Sequence, residues 1–195
     1  MKKIVKIFPF LASTMLIIPT MASAVYTNGD AFFSGGLSEA DIASLDYWES
    51  SSVASNGYDY YTANARSDYA NISYANIGFS RQTSSTYAEL RFYAGSYGSD
   101  YYGIMDPYVL DSYDNWDPAS PDEEWDMVKV KLNHANMESD NLSSANRHEV
   151  TLHELGHALG LVHQEDGTNS VMEETDLDGR RDPTSLDIAN LQWRY

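Results

Sequence analysis

The sequence predicts an α+β fold, and three observations carry that prediction. Ala88, Leu90, Phe92 and Ala94 alternate with Glu89, Arg91 and Tyr93, the period-two pattern of a half-buried strand. Val128, Val130 and Leu132 repeat the pattern against Lys129, Lys131 and Asn133. Val150, Leu152, Leu155 and Leu159 instead supply apolar positions along a helix. With 195 residues, the chain is long enough to bury one proper core.

The N-terminal elements come first. Met1-Lys2-Lys3 and Lys6 precede an apolar run over residues 7–18, and Ala22-Ser23-Ala24 follows. A basic start, a short apolar middle and a small-residue end predict a signal peptide over residues 1–24. Residues 25–195 then form a single secreted, extracellular domain. The apolar run is shorter than the ~20 residues needed to span a bilayer, so no membrane association is expected after cleavage, and a monomer is expected. The formal net charge of −17 argues against nucleic acid and anionic membranes as partners. It suits a soluble surface and could favour cationic substrates or bound cations. There is no cysteine, which excludes disulfides, a thiolate nucleophile, Cys-ligated zinc and a thiol latency switch.

Residues 25–36 read as a lead-in. A first helix is predicted over 37–53, with Ser38 as its cap, Asp41 three residues on, and Leu37 and Ile42 placed as a hydrophobic staple. The polar, Tyr-rich stretch 56–67 reads as a loop, and 69–79 is rich in β-formers. Residues 95–126 read as a long loop whose aspartates include Asp100, Asp106, Asp111, Asp114 and Asp117. A loop organised by Ca²⁺ and a solvated acidic loop are both open readings. Asp176-Leu177-Asp178-Gly179 has only a partial calcium-loop pattern. The lysines of 127–133 are what an exposed edge strand would carry. Asp182-Pro183 announces a last helix with Leu186, Ala189 and Trp193 on one face.

Residues 153–163 read His-Glu-Leu-Gly-His-Ala-Leu-Gly-Leu-Val-His. A helix capped by Asn146, with Glu149 three residues on, carries His153 and His157 one turn apart on one face. Two imidazoles so placed can approach one metal ion. Glu154, adjacent to the first, can reach a water activated by that metal without occupying a coordination position. Gly160 can adopt positive φ and stop the helix, and His163 follows, placed to fold back as a third nitrogen ligand. Three protein ligands and one open position describe a catalytic zinc site, whereas a structural site is closed by four. Asp166 is the alternative third ligand, but His163 fits the spacing. His148 lies off the ligand face and is expected to pack or to face solvent. His134 is expected to be an ordinary polar residue.

The run His153 to His163 resembles the extended motif of the metzincin zinc metallopeptidases, H-E-x-x-H-x-x-G-x-x-H. Ser170-Val171-Met172 is placed like that family's methionine turn. The wording of the motif and its short distance to Met172 are most similar to the matrixin branch, in its compact secreted bacterial form. The resemblance implies a twisted, mostly parallel five-stranded sheet with one antiparallel edge strand, three helices, and an active-site helix ending at Gly160. It implies one catalytic Zn²⁺ on His153, His157 and His163, with Glu154 as general base and Met172 as a hydrophobic support. It also implies a protein or peptide substrate lying on the edge strand, read here as 127–133 with Val130, Leu132 and Asn133. The chain departs from matrixins in having no cysteine switch, no histidine within 95–126 for a second zinc, and Glu173-Glu174 after the methionine. The expected activity is therefore endopeptidase. The alternative is a secreted, Tyr-rich binding or adhesion module with a structural zinc, its sugar-stacking surface formed by Tyr97, Tyr101, Tyr102, Tyr108 and Tyr113.

Overall fold

The computed structural model describes residues 25–98, 100–175 and 177–195. The predicted signal segment and Asp176 of the partial calcium-loop pattern lie outside the described residues. The elements are α1 (Glu39–Ile42), β1 (Leu45–Glu49), α2 (Ser51–Ser55), α3 (Asp59–Ala70), β2 (Phe79–Arg81), β3 (Leu90–Gly95), β4 (Gly103–Leu110), β5 (Trp116–Pro118), β6 (Met127–Asn133), α4 (His134–Ser139), α5 (Ser144–Ala158) and α6 (Ser185–Arg194). The strands form one six-stranded sheet in the order β2-β1-β3-β6-β4-β5. The first four run parallel, while β4 and β5 are antiparallel to their neighbours. This is a mixed, mostly parallel sheet with helices packed against it. The sixth strand beyond the expected five is β5, three residues that return from β4. Among the described residues, no helix is long and apolar enough to cross a membrane.

The core follows the alternation read in the sequence. Leu90, Phe92, Val128, Val130 and Leu132 are fully buried. Lys129 and Lys131 occupy the opposite, half-covered face, where Lys129 Nζ sits 3.8 Å from the Tyr108 ring centre and Lys131 pairs with Asp106 at 2.5 Å. One inference from those lysines is corrected. β6 is an interior strand between β3 and β4. Val130, Leu132 and Asn133 are fully buried, so they present no edge to a substrate. The lysines reflect a wet sheet face, and a wet face and a free edge give the same sequence pattern.

Three further expectations change. The helix predicted over 37–53 is broken into α1, β1 and α2. Ser38 does cap α1, accepting from the Asp41 N–H at 3.1 Å, but Leu45–Glu49 is drawn into parallel pairing with β2 and β3. Tertiary pairing overrides the local helical spacing there. The loop predicted over 56–67 is mostly α3. Its buried residues Thr62, Ala65, Arg66 and Tyr69 keep helical spacing but are largely polar. Arg66 is satisfied at 2.8 Å by Glu49. The long loop 95–126 contains the β4–β5 hairpin, and several of its acidic groups have protein partners. Asp111 accepts from the Tyr113 and Asn115 N–H groups at 2.8 Å, and Asp126 accepts from the Leu110 N–H.

The last helix forms, but on a different face. Asp187, Asn190 and Leu191 are buried, while Trp193 is 55% exposed. Asn190 is drawn inward because it bonds the backbone at Asn28 and Tyr26. Thr184 caps the helix in a capping box with Asp187.

Candidate metal centre

Helix α5 is capped by Ser143, whose hydroxyl accepts from the Asn146 N–H at 3.1 Å; Asn146 is therefore inside the first turn and is not its cap. Leu159 is its C-cap, and Gly160 follows at φ 88°, a left-handed conformation that glycine adopts without a Cβ clash. The chain then runs straight between two supports. On one side, Val162 donates to the Ala31 carbonyl at 2.9 Å and Phe33 to the Gly160 carbonyl at 2.8 Å. On the other, Gln164 donates to the Met172 carbonyl at 2.8 Å. This stretch carries His163, so the lead-in 25–36 is part of the site's scaffold.

The structure brings His153, His157 and His163 together. Nε2 of His163 lies 3.0 Å from Nε2 of His157 and 3.1 Å from Nε2 of His153. Nδ1 of His153 faces the Val171 carbonyl at 2.8 Å, and Nδ1 of His157 faces the Leu161 carbonyl at 2.7 Å. A carbonyl only accepts, so both Nδ1 atoms carry the proton and both Nε2 atoms present lone pairs. With His163 Nε2 beside them, these lone pairs form a convergent nitrogen donor set for one cation. A tetrahedral zinc with bonds of ~2.0–2.1 Å would separate its nitrogens by roughly 3.4 Å, close to the spacing found. Burial favours the neutral form of the two helix imidazoles, pushing His153 down to about 4 and His157 well below its ordinary value. The donor set therefore fits a zinc ion with three protein ligands. Among the described residues, this triad is the one cluster of three or more His, Asp or Glu side chains with metal-binding geometry.

Glu154 lies beside the triad against β4. Burial pushes its carboxyl up to about 8; Asp106 adds to this, and a hydrogen bond from the Met105 backbone N–H opposes it. A cation at the triad would favour the carboxylate. The strand approaches so closely that a Cβ on Gly103 would fall 2.5 Å from Glu154 Cγ, which makes glycine necessary there. A Cβ on Gly156 would likewise lie 2.5 Å from Met172 Sδ. The buried Met172 thus packs against α5 just before His157.

The turn that aims His153 is anchored by a residue the sequence reading did not single out. Asp187 of α6 accepts from the Val171 N–H at 3.1 Å, from the Thr184 N–H at 2.7 Å, and from the Ser170 hydroxyl. Its only sequence signal is the capping box of α6. Asp187→Ala is expected to strand these buried donors and cost roughly 2–4 kcal/mol, with weakened zinc binding because Val171 is released. Urea unfolding and a zinc titration measure both. A second anchor is Arg180, which bridges the buried Glu149 and Glu173 at 3.1 and 3.0 Å. His148 is buried away from the triad, with Nε2 between Asp68 and the Arg181 carbonyl. His134 starts α4, its ring 5.7 Å from that of Tyr58. Asp166 bonds Thr175 and is not in the triad.

Cavities open on both sides of Glu154 and His163. One, of about 410 Å³, reaches Val150, Leu177 and Glu174; the other, of about 580 Å³, reaches Tyr26, Phe33 and Val162. Gly103 borders both. Tyr101 and Tyr102 line the first. Tyr113 is 84% exposed beyond the end of β4, and Tyr108 is covered by Lys129. These tyrosines are thus dispersed.

No protein-family model matches the sequence, and no curated protein matches it. One solved structure shares its overall fold. The GM1-bound form of the ECX AB5 holotoxin aligns with TM-score 0.52 and 14% identity over 86% of each chain. At that identity, the likeness is one of fold. Looser overlaps are found with myroilysin, at TM-score 0.34 and 20% identity over 62% of this chain and 48% of that one. High choriolytic enzyme 1, a hatching-enzyme zinc-protease of the medaka fish Oryzias latipes, overlaps at TM-score 0.40 and 12% identity over 88% and 98%.

Proposed function

We propose that the chain is a zinc-dependent endopeptidase of the metzincin type, matrixin-like in its motif, and secreted after loss of residues 1–24. The observation that carries this reading is the convergence of three imidazole Nε2 atoms beside a buried carboxylate, where two cavities meet under an open strand edge. A binding module with a structural metal has no use for Glu154 at that position.

The edge is that of β4. Asn133 donates to the Tyr102 carbonyl. By the alternation of an antiparallel ladder, Ile104, Asp106 and Tyr108 therefore bond β6, and Gly103, Met105 and Pro107 turn their backbone groups outward. Pro107 has no N–H to leave unpaired there, and its carbonyl accepts from Ala119. Gly103 and the Met105 carbonyl are left to receive an extended peptide as an added strand. Antiparallel addition is the more stable choice.

When bound, zinc supplies Lewis-acid polarisation of the scissile carbonyl and acidifies a water molecule. His153, His157 and His163 would hold it. Glu154 accepts the proton from the attacking water and returns it to the leaving amine. Its burial keeps bulk water from competing for that proton. The Met105 N–H and the close approach of Gly103 fix the carboxylate's position.

The test is cleavage of unfolded casein by the purified protein. Hydrolysis is expected with zinc, is expected to stop with a chelator, and should return when zinc is restored. Zinc-loaded, folded protein that leaves casein intact would favour the binding-module reading.

A further inference from the structure

The two cavities beside the triad differ in chemistry. The larger is walled by Tyr26, Phe33, Ile104, Met105 and Val162, and Glu154 is its only acidic group. The other combines an apolar wall, Val150, Leu177 and Tyr102, with acidic groups at Asp100, Glu173 and Glu174. Glu173 is paired with Arg180 and is buried. Asp100 and Glu174 are exposed, and no lysine or arginine lines this cavity. Glu174 approaches His163 Nδ1 only to 3.9 Å. Asp140, bonded to the Tyr102 hydroxyl at 2.8 Å, adds negative charge nearby.

An apolar wall with an acidic rim matches one kind of side chain, a long aliphatic stem ending in a cation. A leucine could use the wall but not the rim, and a glutamate would be repelled by it. The volume, about 410 Å³, admits either lysine or arginine. Chain direction then assigns the cavity. A peptide antiparallel to β4 meets Met105 and Ile104 first and the 100–103 end last. The acidic cavity therefore receives the residue that follows the scissile bond.

We propose that this subsite selects lysine or arginine, its stem on Val150 and Leu177 and its head between Asp100 and Glu174, so that the substrates are basic peptides. This inference rests on the peptidase reading above. The cavity defines a site, and the two carboxylates define its preference.

The experiment uses a peptide series that differs only at the residue after the cut: lysine, arginine, norleucine or glutamate. Exposed ion pairs are weak, so lysine and arginine are expected to exceed norleucine by roughly three- to tenfold in kcat/KM, and glutamate by more. The gap should shrink as salt rises from 0.1 to 1 M and the screening length falls from about 10 to about 3 Å. Glu174→Lys and Asp100→Lys, made singly and together, should lower the lysine-to-glutamate ratio and in combination reverse it. Binding of the same peptides to zinc-loaded Glu154→Gln protein should show the same order without turnover. Efficient cleavage with norleucine equal or better, a ratio indifferent to salt, or a ratio unmoved by both charge reversals would overturn the subsite while leaving the peptidase intact. If zinc-loaded protein cleaves neither casein nor any of these peptides, the peptidase reading fails and the subsite falls with it.

Discussion

Glu154→Gln is expected to lower peptide hydrolysis by about 10²–10⁴-fold, the usual contribution of a general base, while zinc content stays near one equivalent. The substitution preserves shape in a pocket where Gly103 leaves no slack, and it removes only the ability to take a proton. Rates and elemental analysis on the same preparation separate this from a ligand role. Lost zinc with retained cleavage would assign proton transfer to another group. The substitution also has a signature in metal-free protein. Burial raises the carboxyl from 4.5 to about 8, so between those values the folded state holds a proton that the unfolded state has released. The contribution to stability is full below 4.5 and is lost as pH rises towards 8. Glu154→Gln should flatten that decline, as measured by denaturant unfolding of chelated protein at several pH values.

Removing the metal is expected to have the second large effect. The triad's lone pairs converge without a proton between the two helix histidines, so the folded state gains from a bound cation and the unfolded chain does not. Ligand excess of about 100 times Kd stabilises by about 2.7 kcal/mol, and of about 1,000 times by about 4.1. The melting temperature should fall by several degrees on chelation and recover with zinc. His163→Ala should weaken binding and abolish most of that shift. His148→Ala should leave zinc affinity close to wild type, because its partners are Asp68 and Arg181. Equal zinc loss in both variants would argue that α5 itself had been damaged.

The contrast between these histidines was legible in the sequence, and the reason is local. Whether two imidazoles share a face depends on helical periodicity alone, and the escape of the third depends on one glycine. Much of the sheet was not legible. Strand β4 lay hidden inside the stretch read as a loop, and Gly103 and Pro107 both lie on its outer edge, where glycine admits Glu154 and proline omits an N–H that has no ladder partner. The stretch Leu45–Glu49 carries helical spacing and becomes a strand because two parallel neighbours claim it. Helix α3 was obscured by burying Thr62 and Arg66, whose partner Glu49 lies in a different element. Asp187 could be read only as the N3 residue of a cap. Its second task, holding Val171 in place, depends on a turn distant in sequence.

The support of His163 also dictates an order of events. The Ala31 carbonyl meets the Val162 N–H, and Tyr26 is bracketed by the Gln164 side chain across 138 positions. Contacts of such separation close late, because the entropy of the intervening chain must be overcome before they reward it. His153 additionally waits for Val171. On a ribosome, a chain interrupted before these residues emerge has α3 and much of the sheet within reach but no aimed triad. The convergence of the three imidazoles on one point therefore waits for contacts that close late.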